Sequence, residues 1–93
     1  MTRAADVRQT LAPWIKRYGD GVGWYCTNPV SMVDMAWRLE RRRERAILLH
    51  EAVSADPDAY GTDTTWSASW SDDAQLLRYC DLVATISSGG MDG

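Results

Sequence analysis

The sequence predicts a mainly α fold. One domain, residues 1–93, would hold three helices, the long one at about 31–55 being central, with at most a two-stranded antiparallel sheet. Three observations carry that expectation. Ser31 to Ala55, SMVDMAWRLERRRERAILLHEAVSA, is the only long uninterrupted helical pattern in the chain. Apolar residues also recur at helical spacing before it, from Val7 to Tyr18, and after it, from Leu76 to Ala84. Strand-like alternation is confined to one clear stretch, TWSASWS at 65–71.

The first helix is expected over about 3–18, capped by Thr2, with Val7, Leu11, Trp14, Ile15 and Tyr18 on one apolar face and Trp14 in the core. Pro13 has no N–H to donate and disfavours a helical Ala12, so the helix kinks or breaks there. Gly19 stops it. Val22 to Cys26 then reads as a short strand, and Asn28-Pro29 ends it.

Ser31 with Asp34 forms a capping-box start for the central helix. On a wheel, Met32, Met35, Ala36, Leu39, Ala46, Ile47 and Val53 make an apolar side, with Arg43 and His50 turned into it. A buried guanidinium needs an acid, and Asp72, Asp73 and Asp81 are candidates for Arg43. Arg38, Arg41, Arg42 and Arg45 fall within an arc of roughly 100°.

Residues 56–64 read as a loop. Trp66, Ala68 and Trp70 share one strand face, and pairing with Val22–Cys26 would give the small antiparallel sheet. Ser71, followed by Asp72 and Asp73 in the first turn, opens a last helix at about 72–88. Leu76, Leu77, Cys80, Val83 and Ala84 form its apolar face, and 89–93 is a frayed tail.

Composition narrows the function. No run approaches the roughly 18 apolar residues of a membrane helix. The opening, MTRAADVRQTLAPW, lacks the apolar core of a secretory signal, so a cytoplasmic protein is expected. Cys26 and Cys80 have no metal spacing and read as reduced core thiols. Asp56-Pro-Asp58-Ala-Tyr60-Gly61 resembles a calcium loop only in part, because Tyr60 and Ser67 stand where oxygen ligands are needed. Gly19-x-Gly21 follows a helix, whereas a dinucleotide fingerprint follows a strand. His50 is the only histidine and has no nucleophile motif beside it, which argues against an enzyme. No cofactor or metal is expected.

Charge is uneven. Residues 1–30 carry +2, 31–55 carry +1, and 56–93 carry −6, so the last third is an acidic segment on a mildly basic body. With no phenylalanine, five tryptophans and four tyrosines carry all aromatic packing. A small core has difficulty covering so many, and exposed aromatics concentrate binding energy. The expectation is therefore a non-enzymatic protein-binding module: a regulator, adaptor or inhibitor of a macromolecule, of the kind mobile elements encode. Trp24, Tyr25, Trp66, Trp70, Asp72 and Asp73 are its candidate partner contacts. Nucleic-acid binding through Arg38, Arg41, Arg42 and Arg45 is one alternative, and a self-associating subunit is another.

Overall fold

The computed structural model describes residues 3–19, 21–27, 42–64 and 67–88, except the side chains of Arg42, Arg43 and Ala46. In chain order the elements are α1 (Ala4–Leu11), β1 (Lys16–Arg17), β2 (Trp24–Thr27), α2 (Arg42–Ala55), α3 (Pro57–Tyr60), β3 (Thr62–Asp63), β4 (Ser67–Trp70) and α4 (Asp73–Ser87). The sheet has four antiparallel strands in the order β1-β2-β4-β3. The expected mainly α domain is thus replaced by an α+β one.

The central pair was legible. Trp24, Tyr25, Cys26 and Thr27 of β2 stand opposite Trp70, Ser69, Ala68 and Ser67 of β4. The two outer strands were not. Two strands are marginal in water, and each here gains a two-residue partner: Lys16–Arg17 against β2 and Thr62–Asp63 against β4. Strict alternation then sorts the side chains. Cys26, Asp63, Ala68 and Trp70 are buried on the helical side. Lys16, Tyr25, Thr27, Thr62 and Ser67 are exposed on the other, with Ser69 half-buried.

Pro13 breaks the first helix outright. α1 ends at Leu11, a turn follows, and 16–17 is strand, so the helix expected to 18 stops seven residues early. Ile15 still enters the core, but Trp14 and Tyr18 are exposed, contrary to the expected core position of Trp14. The reason is that a helical face cannot keep its phase once the chain turns at the proline.

The expected organiser is described only from residue 42. Its buried stripe is Leu49 and Val53, flanked by half-buried Leu48 and Ala52, while Ile47 and His50 point to solvent. The wheel had Ile47 and His50 inward. Exposing one isoleucine is cheaper than burying a row that also holds His50, so the helix is rotated towards 49 and 53. The pairing proposed for Arg43 and the Ser31 cap lie outside the described residues, as does the tail.

Among the described residues the element at the centre is α4. It packs against α1, α2, α3 and β4 and buries Leu76, Tyr79, Cys80, Leu82, Val83, Ala84 and Ile86. Its start is built locally: the Asp72 carboxylate accepts from the backbone N–H of Gln75, while Gln75 Oε1 accepts from Ser71 N. The cap is therefore Asp72, one residue beyond Ser71. Gln75 Nε2 and Arg78 Nε donate to carbonyls of α3, at Pro57, Asp58 and Ala59, and clamp that helical turn onto α4. So part of the expected loop 56–64 is helical, with Asp56 as its cap. Arg45 Nη1 donates to the Ile86 carbonyl at 2.7 Å, closing the C-terminal end of α4.

Gly61 joins α3 to β3 at φ +89°, a conformation that favours glycine. A Cβ there would collide with the Ser69 carbonyl and come within 2.8 Å of Trp70 Cδ1.

Candidate functional site

The residue around which exposed chemistry gathers is Trp24. Register places it beside Arg17 of β1, on the helical side of the sheet, at the end where α4 begins. Its indole Nε1 donates to Asp73 Oδ1 at 2.5 Å. The Arg17 guanidinium carbon lies 4.2 Å from the ring centroid, and that of Arg8, from α1, lies 5.0 Å away. Arg17 is itself held: Nη1 donates to the Gly21 carbonyl at 2.6 Å, and Nη2 lies 3.7 Å from Asp73 Oδ1.

Arg8, Trp24, Asp73, Leu76 and Leu77 line a shallow cleft of about 190 Å³. Leu77, 55% exposed, stands on its rim, although the helical pattern assigns it to the apolar face of α4. The stabilisation from these exposed charges is small: a surface cation–π contact contributes about 0.5–1 kcal/mol and an exposed ion pair about as little. What they do is fix the geometry of a half-buried indole. The group holds two guanidiniums against one carboxylate. Its chemistry is that of recognition, with an aromatic face, a branched aliphatic side chain and planar donors.

Of the other sequence-predicted contacts, Tyr25 lies on the opposite face of the sheet. There it meets Tyr18 at 5.0 Å between ring centroids, and both rings are exposed. Trp70 is removed from the surface group altogether: it is 1% exposed and packs edge-on against Tyr79 at 5.0 Å. Alternation decides that: Ser69 lies on the outer face of the sheet, so Trp70 must face the helices. Asp72 is exposed but its carboxylate caps α4. Trp66 lies outside the described residues, as do Arg38, Arg41 and the Arg42 side chain. The fourth of the arginine stripe, Arg45, is half-buried and bound to the Ile86 carbonyl.

Arg8, Arg17, Tyr18 and Leu77 were missed as candidates. The usable signal was charge: the +2 of residues 1–30 matches the acidic start of the last third, and Arg17 meets Asp73 there.

Among the described residues, no group of three potential metal ligands is present. No helix among them is long and apolar enough to cross a membrane. No protein-family model, curated protein or solved structure matches this chain.

Proposed function

We propose that this chain is a non-enzymatic binding protein that docks a protein partner on the Trp24 surface, acting as a regulator, adaptor or inhibitor. The observation that supports it is the fixing of Trp24 between Arg8, Arg17 and Asp73 beside exposed Leu77. Tryptophan and arginine dominate interface energetics, and side chains already held in place lose less entropy on association. Asp72 and Asp73 are engaged within the fold, and guanidinium is in excess around the indole. The partner surface that fits is therefore apolar with an acidic rim.

Affinity capture from the source cell, after nuclease treatment, tests this with wild type and two variants, Leu77→Asp and Arg8→Glu. A stoichiometric partner lost by both variants, with circular dichroism unchanged, supports the proposal. No partner above background at low salt, or one held equally by all three proteins, overturns it. Retention that disappears with nuclease would favour the nucleic-acid alternative. That alternative has less support, because Arg45 is occupied at the end of α4.

A further inference from the structure

The outer face of the sheet ends in a cleft of about 310 Å³. Tyr18, Thr62, Ser69 and Ser71 line it, and Pro57 and Gly61 close the side towards α3. Register puts the four hydroxyl residues on one face. Thr62 stands opposite Ser69, and both share the outer side with Lys16 and Tyr25. Ser71 follows Ser69 by two residues and Tyr18 follows Lys16 by two, so alternation returns each to that side. Thr62 and Ser71 are exposed and Ser69 is half-buried, so a ligand can reach them.

Gly23 explains how Tyr18, from the far edge of the sheet, reaches this cleft. The Tyr18 N–H donates to the Gly23 carbonyl at 3.0 Å. A Cβ at Gly23 would come within 2.9 Å of Tyr18 Cδ2 and of the Trp70 carbonyl, so the phenol ring lies where a side chain would stand. Tyr25 holds that ring at 5.0 Å between centroids, and the ring is still 43% exposed. The other wall is fixed by buried Gln75. Its amide accepts from Ser71 N and Oγ and donates to the Pro57 and Asp58 carbonyls. The cleft is therefore preformed, with an aromatic wall and a hydroxyl floor, and no charged side chain lines it. Among the described residues the Thr62 and Ser69 hydroxyls have no hydrogen-bond partner, and Ser71 Oγ keeps its lone pairs.

We propose that this cleft binds a neutral sugar, one pyranose ring stacked on Tyr18 with its hydroxyls paired to those of Thr62, Ser69 and Ser71. A sugar hydroxyl both donates and accepts, as do the hydroxyls facing it. The C–H groups on a pyranose face carry partial positive charge and suit the negative face of the phenol ring. A charged ligand would lose its water against groups that cannot neutralise it. The start of α4 nearby offers an anion nothing either, because the Asp72 carboxylate already occupies it. The volume is at the lower end of small-molecule sites, as a ligand of one ring requires. The site shares no residue with the Trp24 cleft and stands independently of the partner reading.

The test is a titration followed by amide chemical shifts, using the methyl glycosides of glucose, galactose, mannose and N-acetylglucosamine. Erythritol, an acyclic polyol with no ring face, is the control. At least one glycoside is expected to saturate with a Kd on the order of 1 mM. The shifts should centre on Tyr18, 61–62 and 69–71 and persist in about 0.5 M NaCl, since no charge is involved. Tyr18→Ala should weaken binding about 10-fold, whereas Tyr18→Phe, which keeps the ring, should stay within about 3-fold of wild type. Should Tyr18→Ala not fold, Ser69→Val, which fills the floor and removes a hydroxyl, is expected to give the same loss. The β-linked or α-linked disaccharide of the preferred sugar separates the sources: tighter binding assigns a glycan chain, equal or weaker binding a free sugar. No saturable shift, an equal response to erythritol, tighter binding of adenosine than of any glycoside, or undiminished binding in the folded variants would overturn the proposal.

Discussion

The indole N–H of Trp24 donates to Asp73 Oδ1 across 2.5 Å, tying the first residue of β2 to the first residue of α4. The two residues are 49 apart in sequence, so this bond connects sheet to helix at the surface. Asp73→Asn weakens the acceptor and removes the charge facing Arg17. The side chain is 66% exposed, so a loss of only about 1 kcal/mol is expected. Chemical denaturation measures it. The Trp24 Nε1–H resonance should also move, and an unmoved resonance would mean that the bond is not populated in solution.

Leu76 and Leu77 are neighbours with opposite surroundings, 1% and 55% exposed. Leu76→Ala leaves a cavity under α4 and is expected to lower stability by about 3 kcal/mol. Leu77→Ala should stay within about 0.5 kcal/mol. Urea midpoints compare them directly. Similar losses for both would place Leu77 in the core and remove it from the proposed contact surface.

Asp63 makes stability fall as pH rises. Its carboxyl is pushed up from 3.8 to about 6 by burial, so between those values the native protein holds a proton that the unfolded chain has lost. Stability from this residue is present below pH 4 and lost by up to about 3 kcal/mol as pH passes 6. Asp63→Asn, which keeps the shape without the charge, should abolish that slope and match or exceed wild type at about pH 8. Parallel stability profiles for the two proteins would show that the carboxyl is not desolvated as described.

Cys26 and Cys80 are buried free thiols, pushed by burial up to about 12 and about 11. Only the thiolate reacts, so neither should be alkylated by iodoacetamide at about pH 8 in the native protein. Both should react in denaturant. Mass spectrometry reads the difference, and labelling of either at native conditions faster than global unfolding would count against its burial.

Local pattern in this sequence determined three things: the last helix, the breaking point at Pro13, and the pairing of a strand read at Val22–Cys26 with one read at 65–71. Each is written in spacing that one element suffices to satisfy, whether 3.6-residue recurrence, a missing N–H, or two-residue alternation. The Asp72 cap was readable to within one residue for the same reason. Strands of two residues have no period to read, so β1 and β3 exist only because the central pair needs neighbours.

Tertiary structure alone decided which tryptophan faces out and which helix lies at the centre. A helical phase drawn through Pro13 put Trp14 inside, but the turn after Leu11 swings it to the surface, while the β4 register drives Trp70 into the core. Ser31–Ala55 held the longest pattern, yet among the described residues α4 is the centre, because a helix buries as much as the layers around it can cover, and α4 is covered by three helices and a strand. Nothing in the residues near Asp63 announces a buried carboxyl. Its position follows from a two-residue strand whose neighbour Thr62 points out, a consequence of assembly that sequence spacing does not encode.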